Sequence, residues 1–208
     1  DAVKNCQVIF AENERTARRF LKSICKEIVI DDYEWFTIHK AENEVLSAFR
    51  QKIKEGKNIG IISEAGCPGI ADPGQILIAA AQEMNATIKP LVGPSSILLA
   101  LMASGMNGQQ FEFVGYLPID NLERNKAITA LETSSQKKNS TQIFIETPYR
   151  NNQLIETLLK TCKPSTRLCI AAELTGAGEF IKTRTVADWK KEKTDFHKKP
   201  VIFLLHAV

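Results

Sequence analysis

The chain has 208 residues, 44% hydrophobic and 25% charged, with a formal net charge of +3. That balance suits a globular protein with one large core or two small ones, and it is less basic than an obligate nucleic-acid binder usually is. No apolar run approaches the roughly 20 residues needed to span a bilayer and no signal peptide is visible, so a cytoplasmic protein without a membrane partner is expected.

The opening residues DAVKNC read as a helix end entering a strand, so a further strand and loop are expected upstream of Asp1. CQVIFA (6–11) reads as a buried strand. In the segment that follows, Ala17, Phe20, Leu21 and Ile24 fall at the spacing of an amphipathic helix, which sends Arg15, Arg18 and Arg19 to its other face. Val45, Ala48, Phe49 and Ile53 repeat the helical period, and Gly56 stands in the helix-stop position. A strand over 58–62, a helix over 75–84, a strand over 87–92 and a helix over 96–104 are predicted next. Strands alternating with helices imply crossover units and a mostly parallel sheet.

Beyond Gly105 the helical period fades, and Gly115 and Pro118 mark a junction near 113–120. The chain is therefore read as two α/β domains, 1–113 and 114–208. In the second, a helix over 122–134, a polar loop SSQKKNS, a strand over 141–146, a helix over 151–161 and a strand over 167–173 follow. FIKTRTV (180–186) alternates as an edge strand does, and PVIFLL (200–205) reads as a buried strand with Pro200 tolerable only at its start. The second sheet is expected to be mixed.

Five cysteines, Cys6, Cys25, Cys67, Cys162 and Cys169, show no C-x-x-C spacing and read as free thiols. His39, His197 and His206 lie far apart without a carboxylate cluster, so no metal site is expected. Neither G-x-G-x-x-G nor a P-loop occurs, and there is no G-x-S-x-G elbow.

The densest signal is a pair of turns, Ser63–Gly74 and Val92–Ser96, each placed after an apolar run and before a helix-like one. In parallel α/β sheets such turns gather at the carboxyl ends of the strands, where ligands bind, and the pair points to a shared cofactor crevice.

SEAGCPGIADPG followed by VGPSSILLALMASG resembles the tetrapyrrole-methylase superfamily of S-adenosyl-L-methionine-dependent methyltransferases. Within it the chain is most similar to the branch that 2′-O-methylates a cytidine of bacterial small-subunit ribosomal RNA. The likeness continues through AENERTARRFL, FVGYLP, IFIETPYR and AAELT. It implies two α/β domains with a cofactor cleft between them, S-adenosyl-L-methionine as cofactor, ribosomal RNA as partner and a homodimer. A tetrapyrrole C-methyltransferase and a non-catalytic cofactor-binding module are the alternatives.

The resemblance also places residues. Ala65, Gly66, Cys67 and Ile70 fall in the first cofactor loop, Ser95 and Ser96 in the second. Thr147, Leu174 and Thr175 match the second-domain contacts. Cys67 stands where the family has threonine, and Glu64 where it has aspartate. A ribose hydroxyl must lose its proton, which favours a carboxylate nearby, and Glu12, Glu64 and Glu146 are the candidates. Arg15, Arg18 and Arg19 are the candidate RNA contacts. Each of these also has a plainer reading: Ser95 as a helix cap, the glutamates as salt-bridge partners, the arginines as solvated surface.

Overall fold

Residues 2–38 and 42–207 are described by the computed structural model. His39, one of the histidines weighed above, lies outside them. The chain divides into two compact units, Asp1–Pro94 and Ser95–Val208.

The first unit is built on a three-stranded sheet of β1 (Val8–Ala11), β2 (Glu34–Thr37) and β3 (Ile59–Ile62), in the order β2-β1-β3. All pairings are parallel, with Ala11 opposite both Thr37 and Ile62. Successive side chains of a strand point to opposite faces, and both faces of β1 are covered. Val8 and Phe10 pack with Phe49 of α2 (Glu42–Lys54) and with Leu77, Ala80 and Ala81 of α3 (Gln75–Glu83). Ile9 and Ala11 pack with Ala17 of α1 (Glu14–Ile24). Phe10 stacks on Phe36 at 4.7 Å and meets Phe49 edge-on at 5.2 Å. In α1 only half of the apolar stripe is used: Ala17 and Leu21 are buried, whereas Phe20 and Ile24 are exposed.

Residues 87–92 do not form the expected strand; the backbone from 86 to 95 belongs to no regular element. Pro90 supplies no N–H for a ladder, and Leu91 and Val92 are exposed. Ala86 and Ile88 still pack against the core around Phe10.

The second unit holds a mixed five-stranded sheet, ordered β4-β5-β8-β6-β7. Its strands are β4 (Phe111–Tyr116), β5 (Thr141–Ile145), β6 (Arg167–Ala172), β7 (Phe180–Thr185) and β8 (Val201–His206). β4 and β5 run parallel; β8 runs antiparallel to both β5 and β6, and β7 antiparallel to β6. One face, carrying Phe144, Leu168, Ile170 and Phe203, is covered by Ile128 of α5 (Asn121–Lys138), Leu154 and Leu158 of α6 (Asn151–Thr161) and Trp189 of α7 (Val186–Trp189). The other face, carrying Ile143, Cys169, Ala171, Ile202 and Leu204, is covered by Ala100 and Leu101 of α4 (Ser96–Ser104).

That second layer explains why the division falls at Pro94 and Ser95 rather than at 113/114. α4 is half of the packing of the second sheet, and it cannot leave that sheet without exposing it. The first five residues of the expected loop SSQKKNS are instead the last part of α5. Ser135 is buried there, its hydroxyl donating to the Ser140 carbonyl at 2.6 Å and accepting the Ala207 N–H, and Asn139 ends the helix in the left-handed conformation.

Candidate active site

β1, β2 and β3 end side by side, and the residues just past them define the candidate site of the first unit. A cavity of about 490 Å³ is lined there by Glu12, Asn13, Arg15, Thr37, Glu64 and Pro73, among others. Glu12 directly follows β1, and its Oε2 accepts the backbone N–H of Glu64 at 2.8 Å. Glu64 in turn accepts the Thr16 hydroxyl on Oε1, also at 2.8 Å. Asn13 caps α1 by accepting the Thr16 N–H. The start of α1 and the start of the 63–74 loop are therefore one hydrogen-bonded unit.

The loop needs its glycines. Gly66 has φ +74°, and a side chain added there would be strained whatever the space around it. Ala71 adopts φ +62° without being glycine, a conformation costing about 1 kcal/mol or more. Ala65, Gly66 and Ile70 are exposed, so bare backbone and one apolar side chain face solvent. Cys67 is half-buried, its thiol 3.9 Å from the Pro94 carbonyl.

Asp72 was not singled out from the sequence. Its Oδ2 lies 3.7 Å from where a Cβ on Gly66 would stand. Burial, and secondarily the charge of Glu12, push its carboxyl up to about 6. The residue was legible within IADPG, but its perturbation depends on the fold bringing Glu12 near it.

The arginines of α1 separate into two kinds. Arg15 and Arg19 are exposed. Arg18 pairs with Glu14 at 2.6 Å and with Asp31 at 3.7 Å, and its guanidinium lies 5.0 Å from the centre of the Trp35 ring. It is held as a brace between α1 and β2.

In the second unit, β5 and β6 point the same way, and the residues past their ends form a second group. Glu146 is buried; its Oε1 accepts Arg150 Nε at 3.0 Å, Arg150 Nη2 at 2.6 Å and the Thr147 N–H at 2.6 Å. Its Oε2 is buried without a hydrogen-bond partner. Thr147 is half-buried, Leu174 packs on the core around Ala171 and Ile202, and Thr175 is exposed with its N–H on Glu179 Oε2. Glu173 pairs with Lys199 at 2.6 Å.

α4 aims its N-terminus at the same end of the sheet. Its last turn is tied to the opposite end, where Thr183 donates to the Ser104 carbonyl and Arg167 to that of Gly105. Ser95 is the N-cap residue, yet its side chain makes no capping hydrogen bond, and Ser96 is exposed. The first N–H groups of α4 therefore lack the side-chain partner that a serine there normally provides.

No group of three or more His, Cys, Asp or Glu side chains that could hold a metal ion occurs among the described residues. His206 is buried in β8 with Nδ1 3.4 Å from the Thr141 hydroxyl. All five cysteines are free, Cys162 and Cys169 being buried.

The profile of the family described as Tetrapyrrole (Corrin/Porphyrin) Methylases matches residues 1–189. "Ribosomal RNA small subunit methyltransferase I" of Buchnera aphidicola subsp. Schizaphis graminum is 30% identical over 99% of this chain and 70% of its own length. The protein of the same name from Escherichia coli O157:H7 is 30% identical over 82% of this chain, which spans only 59% of that relative. The crystal structure of the methyltransferase CobJ superposes with a TM-score of 0.63 over the whole chain and 85% of that structure, at 15% identity, which shows a shared fold. With the family profile matched over residues 1–189 and two α/β units in the structure, the chain belongs to the tetrapyrrole-methylase family.

Proposed function

We propose that this chain transfers a methyl group from S-adenosyl-L-methionine to the 2′-hydroxyl of a cytidine in small-subunit ribosomal RNA. The observation that carries the reading is the 63–74 loop, which presents bare backbone at Gly66 beside two strand-end carboxylates, in a chain whose relatives are named for ribosomal RNA methylation. The residues present fit such a cofactor. Backbone at Ala65, Gly66 and Cys67 and the exposed Ile70 side chain suit its polar and apolar parts. Ser95, Ser96, Thr147, Leu174 and Thr175 are the proposed contacts from the second unit.

When bound, the cofactor supplies a methyl on a sulfonium that is already a good leaving group. The protein's work is then to align the acceptor and exclude water. Glu64, exposed and oriented through Oε1 by Thr16, suits the removal of the ribose proton. Glu12 fixes the backbone of Glu64, and Glu146, fixed by Arg150, suits a positioning role. Arg15 and Arg19 suit phosphate contacts.

The family's range also includes tetrapyrroles, so the deciding experiment offers both acceptors. The protein carrying this chain is incubated with methyl-labelled cofactor and either small ribosomal subunits from a strain lacking it or a reduced tetrapyrrole. Label in an alkali-stable cytidine dinucleotide supports the reading; label in the tetrapyrrole alone, or in neither, overturns it. A cytosolic location goes with such a substrate, and no helix among the described residues is long and apolar enough to cross a membrane. We further propose pairing of two copies through the exposed Leu98 and Met102 of α4.

A further inference from the structure

Tyr149 lies on the loop between β5 and α6, two residues past Thr147. The residue is 69% exposed. A large aromatic this exposed gains little from the core, and its neighbours are polar. The His197 ring meets it at 5.8 Å and 73°, and the Lys198 ammonium lies 6.0 Å from its centre.

The segment supplying those two neighbours is held firmly. The Lys198 N–H donates to the Pro148 carbonyl at 2.9 Å, directly beside Tyr149. Asn152 accepts the Phe196 N–H and donates to Asp195 Oδ1. The buried Asn151 amide donates to the carbonyls of Phe196 and Lys199. Phe196 itself is buried, and Lys198 sits at φ +62°. Two loops are thus stitched together beneath a solvated aromatic ring. Lys190, Lys193 and Lys198 make no ion pair among the described residues, which leaves this segment with uncompensated positive charge.

We propose that Tyr149, with His197 beside it, is a stacking platform for an unpaired RNA base, Lys198 taking a flanking phosphate. This rests on the RNA reading above and adds a recognition element to it. Every base offers a π-face to an exposed ring, and a base inside a duplex does not. The loops that carry the ring are tied together before binding, so little backbone ordering is lost when a base lands on it. A protein partner would call for a continuous apolar surface, whereas the side chains that meet this ring are the polar His197 and Lys198.

The test measures fluorescence anisotropy of a labelled single-stranded RNA carrying the target region, titrated with wild type, Tyr149→Ala, Tyr149→Phe and Lys198→Ala. Tyr149→Ala is expected to weaken binding about tenfold, within the range reported for one stacked base. Its salt slope should match the wild type. Tyr149→Phe should bind as wild type, because the ring and not the hydroxyl is used. Lys198→Ala should lower the salt slope by about 0.7, the value for one phosphate contact on a single strand. Thermal melts control for folding, which an exposed side chain should leave unchanged. If wild type binds RNA and Tyr149→Ala binds equally well, or if Tyr149→Phe is as weak as alanine, the platform is overturned while the RNA reading stands. A wild-type protein without RNA affinity overturns both.

Discussion

The carboxylate of Glu12, at the end of β1, holds the backbone N–H of Glu64, at the start of the loop after β3. Fifty-two residues of chain separate the two, and the contact fixes where the loop begins. Glu12→Ala leaves that N–H to solvent and frees the loop. The expected result is a stability loss of about 1.5–3 kcal/mol, typical of a hydrogen bond to a charged group, with a larger fall in affinity for S-adenosylhomocysteine. Denaturant melts and calorimetry measure the two; equal affinity in a folded variant would detach Glu12 from the cofactor loop.

Asp72 gives a pH signature. Its carboxyl is raised to about 6, chiefly by burial. A raised carboxyl favours the protonated form in the folded state. Its contribution is therefore fully present below the ordinary value near 4 and is lost as pH climbs through about 6. Asp72→Asn stays neutral throughout. Relative to wild type, the variant should gain stability between pH 4 and 7 and hold that gain above. Melting temperatures at unit steps of pH would show it, and parallel curves would refute the assignment.

The arginines of α1 should divide by environment. Arg15→Ala with Arg19→Ala removes two exposed cations and should lower the salt slope of RNA binding by between about one and two. Arg18→Ala removes the brace to Glu14 and Trp35 instead. It should reduce stability and leave the slope alone. A slope change confined to Arg18→Ala would reverse these roles.

Thiol reactivity should follow burial. Burial, aided by Glu132, pushes the Cys162 thiol up to about 12, and burial raises Cys169 as well. The thiolate is the reactive form, so at pH 8 Cys25 and Cys67 should alkylate well before either. Mass spectrometry of timed iodoacetamide samples reads the order; early labelling of Cys162 in native protein would contradict the packing around it.

Assembly is tested by sedimentation. If Leu98 and Met102 of α4 pair two copies, Met102→Lys should shift the protein to the mass of a single chain. A wild type that sediments as one chain at micromolar concentration would remove the pairing proposal.

Much of this was legible because periodicity is local. The unbroken apolar runs VIFA and IFLL, the alternation in FIKTRTV and the helical spacing in α2 and α6 each lie within a dozen or so residues. β2 escaped notice because EWFT is short, opens on a charge and is only half-buried. Residues 87–92 misled in the other direction: the run is apolar, but Pro90 and the exposed Val92 deny it a ladder. At the site, the glycine turns were visible as composition. The Glu12–Glu64 contact, the raised Asp72 and the bracing of Arg18 were not, since each depends on residues far apart along the chain.

β8 sits between β5 and β6, although more than twenty-five residues of chain separate it from the nearer of them. During synthesis, β5 and β6 leave the ribosome before the strand that joins them exists. Until residue 206 emerges, each carries an unpaired apolar edge, of the kind that recruits strands from other chains. The first unit differs: its three strands among the described residues have all been made once Ile62 has. Folding should therefore proceed in two stages, with the second unit dependent on chaperones in the interval. Emergence of residues 201–206, and not that of the glycine loops, would then time the appearance of a finished second sheet.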